Sequence, residues 1–129
     1  YVGDVRQVNM GALELLLQAG GIPVVAPITH DGKGVLLNSN ADGIAAAVAE
    51  TLGRCYDVEL IYCFDKKGVL ADVGNEDSVI SCLTPSLYEE YKGNGVIHSG
   101  MIPKLDNAFK SVHNGVRVVR LIHPDDLEK

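Results

Sequence analysis

The stretch LLNSNADGIAAAVAETLG, residues 36–53, decides how the whole chain reads. An apolar run stops at Leu37. Short polar side chains follow on alternate positions, at Asn38, Asn40 and Asp42, and an alanine-rich segment begins at once. A strand-like run, a polar corner and an alanine-rich helix pattern thus follow one another. A helix start needs one capping side chain, and Asn or Asp serves well. Three such residues exceed that need. In an open α/β sheet, ligands sit beyond the carboxyl ends of strands, which is where these residues fall. Backbone N–H groups of a first helical turn favour an anion. Asn side chains offer donors and acceptors to an amide or carboxylate. Asp42 is too negative to bind phosphate itself but could hold a lysine in place. A plain cap with turn-forming neighbours is the simpler account of the same spacing.

The flanking segments repeat the alternation. Met10, Leu13, Leu16 and Leu17 form one helical stripe over 9–19, with Asn9 as N-cap and Gly20–Gly21 as the stop. IPVVAPI, 22–28, reads as a buried strand. The D-G pair in THDGKG, 29–34, should reverse the chain into a short strand at Val35–Leu37. The helix of 41–52 closes at Gly53. DVELIYCF, 57–64, is a second buried strand, KKGVLAD and GNED are loop-like, and SVI, 78–80, is a short strand. Thr84 caps the next helix, with Pro85 at its first position and Gly93 just past its end. Leu105, Ala108, Phe109 and Val112 recur at helical spacing, with Pro103 in the first turn and Gly115 at the end. VRVVRLI, 116–122, is the last strand. Buried strands alternating with helices predict a three-layer α/β/α sandwich on a mainly parallel sheet.

The chain has 129 residues and no internal repeat, so one domain over 1–129 is expected. A net charge of −6 argues against nonspecific nucleic-acid binding, because a phosphate backbone attracts basic surfaces. No apolar run approaches the ~20 residues that span a bilayer, and no signal-peptide pattern is seen, so a cytoplasmic protein without a membrane partner is expected. Cys55, Cys63 and Cys82 lack C-x-x-C spacing and read as free thiols. The chain opens on Tyr1 without methionine and stops at HPDDLEK, just after a strand-like run, which leads us to expect a fragment or excised domain.

Two further features could carry chemistry. Lys104, in SGMIPKLDNAF, lies in the first turn of a helix, the unfavourable end of the macrodipole for a cation. That placement makes sense if an anion sits between the lysine and the helix N–H groups. The alternative is a lysine whose tip escapes into water. Gly100 would let a ligand approach the backbone. CFDKKGVLAD, 63–72, leaves a strand's carboxyl end with Asp65, Lys66, Lys67 and Gly68, and suits the rim of a nucleotide site or a charged surface turn. There is no G-x-x-x-x-G-K-[ST] loop and no G-x-G-x-x-G fingerprint. His30, His98, His113 and His123 show no ligand spacing, so no protein-held metal is expected.

Together the segments YVGDV, IPVVAPITHDGKG, LLNSNADGIAAAVAETLG, LIYCFDKKGVLAD and GVIHSGMIPKLDNAF resemble the carboxyl-terminal half of the acetylglutamate kinases, within the amino acid kinase family. N-x-N-A-D at 38–42 paired with G-M-I-P-K at 100–104 is the specific part. DVELIYCF and CFDKKGVL look most like the bacteroidal branch, where N-succinylglutamate is the implied substrate of some members. The resemblance implies ATP-dependent phosphorylation of the side-chain carboxylate of an N-acylated glutamate, with Mg²⁺ held through the nucleotide phosphates, in arginine biosynthesis, and a homo-oligomeric parent enzyme. It implies catalytic roles for Lys104 and Asp42 and substrate binding by Asn38 and Asn40. It implies ATP binding by Asp65, Lys66, Lys67, Gly68, Val69 and Leu70, and by Val96, Ile97, His98, Gly100 and Met101. The family's amino-terminal lysine, its glycine-rich loops and its substrate arginine have no counterpart here. Ser99 stands where many members have glycine, and the tail from His123 departs from the usual ending. The chain thus looks like the nucleotide-binding half, with the substrate half absent.

Overall fold

A computed structural model describes residues 2–128; Tyr1 and Lys129, at the outer ends of the YVGDV and HPDDLEK segments, lie outside the described residues. The elements run in the order α1 (Met10–Gln18), β1 (Ile28–His30), β2 (Leu36–Asn38), α2 (Ala41–Leu52), β3 (Glu59–Cys63), α3 (Pro85–Gly93), α4 (Ile102–His113) and β4 (Val118–Ile122), with a 3₁₀ turn at Pro124–Asp126. The strands form two pairs. β1 and β2 make an antiparallel hairpin, and β3 and β4 pair in parallel, with Tyr62 opposite Leu121. Helices alternate with a parallel β3–β4 pair, as expected of an α/β fold.

The helix starts follow their sequence signals. Asn9, Asn40 and Thr84 each accept a hydrogen bond from the backbone N–H three residues on. Helix α3 includes Gly93 rather than ending before it, and the left-handed residue is Gly95, with φ of +71°. The SVI segment forms only an isolated bridge, Leu70 with Val79.

One strand assignment fails. Residues 22–27 form no strand, and Ile22 and Val24 are 90% and 94% exposed. Pro23 and Pro27 remove two ladder donors from this short run, and proline is confined to strand edges. Leu15, Leu16 and Leu17 of α1 are also exposed, so this corner is apolar without being buried.

The core lies around β3, β4 and the helices that cover them. Ala49, Leu60, Tyr62 and Val116 form one cluster, and Val69, Tyr88, Ile97 and Leu105 form a second, with Leu121 touching both. α2 and α4 are joined near their carboxyl ends. Glu50 accepts hydrogen bonds from the fully buried Ser111 hydroxyl and from the Asn114 amide, both at 2.9 Å. Beside them Gly53 faces the turn after α4, and a Cβ there would sit 2.7 Å from the Gly115 carbonyl oxygen. Backbone on backbone cannot yield as a side chain does. Gly53→Ala should therefore cost about 1–3 kcal/mol, as overpacking does. A lower urea midpoint with an unchanged slope checks this.

Candidate functional site

The hairpin and α2 are locked by the polar corner that follows β2. Ser39 is buried; its hydroxyl donates to the Gly3 carbonyl at 2.8 Å, so the Thr29 hydroxyl at 2.8 Å donates to Ser39. Asn38 ends β2 with its side chain exposed. Asn40 points its side-chain oxygen at the Gly43 N–H, 3.2 Å away, and is the N-cap of α2. The Asn40 side chain thus takes one N–H of this helix start, and Asp42 stands in its first turn.

The unfilled start belongs to α4. Its N-cap, Met101, makes no side-chain hydrogen bond, and the first turn holds no acidic residue. Pro103 has no N–H and the Ile102 N–H donates to the Ser99 carbonyl at 3.4 Å, so the Lys104 N–H is the first-turn donor left open to an anion. Lys104 stands in this turn. Its Nζ lies 2.5 Å from Asp42 Oδ2, closing a bridge between the starts of α4 and α2. The two side chains are 24% and 41% exposed, and such partly wet pairs contribute only up to about 1 kcal/mol. Stability does not account for a lysine placed against the dipole.

Tyr62, near the carboxyl end of β3, completes the group. Its ring centroid is 5.1 Å from Lys104 Nζ, and its hydroxyl donates to the Asp42 carbonyl at 3.2 Å. Burial pushes the Tyr62 phenol up, and the negative charges of Asp42 and Glu50 add to that, so it stays protonated. Nothing in the sequence singled Tyr62 out except a polar-tipped ring inside an apolar run.

The two loop segments meet beside this group. Val69 and Ile97 are buried together against Leu105, the neighbour of Lys104, with Met101 packed alongside. Gly68 is buried, while Asp65, Lys66 and Lys67 are exposed and Lys67 pairs with Asp77 at 3.2 Å. Leu70 and Val96 are half-buried. His98 Nδ1 accepts from the Gly100 N–H at 3.2 Å, which shapes the loop leading into α4. Val69 and Ile97 turn their side chains to the core, so a ligand along these loops meets mainly backbone. An open cleft of about 300 Å³ lies between Gly3–Val5, α2 and α4, reaching Asn40 and Lys110. Neither Asp42 nor Lys104 lines it.

Among the described residues no group of three or more His, Cys, Asp and Glu side chains could hold a metal ion, and no helix is long and apolar enough to cross a membrane. The three cysteines are free and exposed.

The sequence of this α/β chain and its fold both match a known class. Residues 1–123 match the amino acid kinase family, and the chain belongs to it. It is 51% identical to an acetylglutamate kinase from Phocaeicola vulgatus over 92% of this chain and 46% of that protein. It is 50% identical to an acetylglutamate kinase from Cytophaga hutchinsonii over 98% of this chain and 48% of that protein. The crystal structure of smu.665 from Streptococcus mutans UA159 superposes with a TM-score of 0.77 at 38% identity, covering 95% of this chain and 47% of that one. The chain thus spans about half the length of the curated relatives it matches.

Proposed function

We propose that this chain is the nucleotide-binding, carboxyl-terminal half of a kinase that phosphorylates the side-chain carboxylate of N-acetylglutamate in arginine biosynthesis. The observation that carries it is the Lys104–Asp42 bridge beside the uncapped start of α4. Relatives bearing the acetylglutamate kinase name at about half identity support the acetyl acceptor. An acceptor carboxylate oxygen attacks the γ-phosphorus of ATP, the bond to the β–γ bridging oxygen breaks, and ADP leaves with that electron pair. Lys104 meets the charge on the transferred group through its ammonium and through its backbone N–H at the start of α4. Asp42 fixes Lys104, and Asn38, exposed at the end of β2, binds the acceptor. The roles fit phosphoryl transfer, which asks the protein for positioning and positive charge rather than covalent help.

The backbone of residues 65–70 and 96–101 suits ATP, whose phosphates bring Mg²⁺ with them. Asn40 caps α2 through its side-chain oxygen and binds the acceptor beside Asn38 through its amide NH₂. The working enzyme is a cytoplasmic homo-oligomer in this reading.

The test joins this chain to the amino-terminal half of the Phocaeicola vulgatus kinase in one polypeptide. Mg-ATP and N-acetylglutamate should yield an acyl phosphate that hydroxylamine traps, with N-succinylglutamate as the competing acceptor. Turnover of the succinyl compound alone would move the acceptor assignment. ATP binding by a folded sample without product from either would favour a noncatalytic nucleotide-binding domain.

A further inference from the structure

We propose that Tyr62 is a positioning residue for phosphoryl transfer: its ring carries the Lys104 ammonium on one face while its hydroxyl holds the backbone of Asp42. One side chain then sets both ends of the Lys104–Asp42 bridge. The inference rests on the kinase reading above for its catalytic consequence, though not for its geometry.

Tyr62 is only 5% exposed and packs with Ala49, Leu60 and Val116, so its ring is a fixed surface. Lys104 Nζ lies 5.1 Å from the ring centroid, inside the range of a cation–π contact. The hydroxyl reaches the Asp42 carbonyl, 20 positions away in the chain, at 3.2 Å.

The need for such a platform follows from the lysine side chain. Four flexible carbons and a partly exposed carboxylate partner leave the ammonium many poses. A second carboxylate would restrict it but would take another N–H donor and add negative charge where phosphate must come. A ring face attracts the cation without accepting a conventional hydrogen bond. With one N–H directed at Asp42, two of the three ammonium donors stay open to phosphoryl oxygens. Phenylalanine would keep the ring and lose only the link to Asp42. Leucine would fill part of the space and lose both.

The experiment has two arms. In this chain, with labelled lysines, the Lys104 ε-protons should show nuclear Overhauser contacts to the Tyr62 ring and a ring-current shift. Tyr62→Phe should retain the shift and Tyr62→Leu should abolish it. In the joined kinase, Tyr62→Leu should lower kcat roughly tenfold while the acceptor KM stays within about twofold. Tyr62→Phe should recover most of that loss, ending about two- to threefold below wild type.

Absence of the ring contacts in the wild-type chain overturns the proposal whether or not the leucine variant folds. A folded Tyr62→Leu with wild-type kcat overturns it too, as does a Tyr62→Phe as impaired as Tyr62→Leu. A Lys104→Ala kinase with normal kcat would instead overturn the role given to Lys104, and with it the catalytic consequence of Tyr62, while leaving the ring contacts observable.

Discussion

Lys104→Ala, in the joined kinase, should lower kcat on the order of 10²-fold or more, the usual cost of losing one donor aimed at developing charge. The acceptor KM should move far less, because an interaction that strengthens in the transition state is lost mainly from kcat. The fold should tolerate the change. Lys104 gives up a partly exposed ion pair, worth at most about 1 kcal/mol, and leaves an unfavourable position on the helix dipole. Steady-state kinetics and thermal melts on the same preparation separate these effects. A kcat within about threefold of wild type would remove Lys104 from the mechanism.

Asp42→Asn should also lower kcat, on the order of tenfold to 10²-fold, by a different route. The cap of α2 is Asn40, so Asp42 is not needed to start the helix. Asparagine keeps nearly the same shape and still faces Lys104, but it no longer offers a charge at 2.5 Å. The ammonium then gains freedom it did not have. We expect near-normal melting and near-normal nucleotide affinity beside the loss in turnover. If Asp42→Asn turns over normally, or loses activity only because it unfolds, Asp42 belongs to the turn and not to the chemistry.

Helices were legible because their signals are local. Asn9 and Thr84 cap where their position beside a periodic run says they should, and of the three polar residues before the alanine-rich helix it is Asn40 that caps. The hairpin was legible from D-G in THDGKG, but its first strand, Ile28–His30, lies largely inside the segment read as the turn, and its second, Leu36–Asn38, starts one residue late. The run at 22–28 misled because apolar content was weighed above Pro23 and Pro27. The polar corner was half legible. Density of Asn and Asp marked it as unusual, yet spacing could not say that Asn40 faces Gly43 while Asp42 faces a lysine 62 positions later. Tyr62 was invisible for a related reason. Its neighbours are set by how β3 lies under α2 and α4, and no local pattern encodes that.

The junction of Gly53 with Gly115 and of Glu50 with Ser111 and Asn114 lies far from the charges it serves. α2 rises about 1.5 Å per residue, so Gly53 is roughly 16 Å along the axis from Asp42. A tilt of about 5° around that junction would swing the start of the helix by roughly 1.5 Å. Misplacement of about 1 Å can cost 10²-fold in rate. A methyl group at Gly53 would thus reach the chemistry as leverage, its effect on turnover larger than its effect on melting, and the tolerance for error at the tip would be set at the fulcrum.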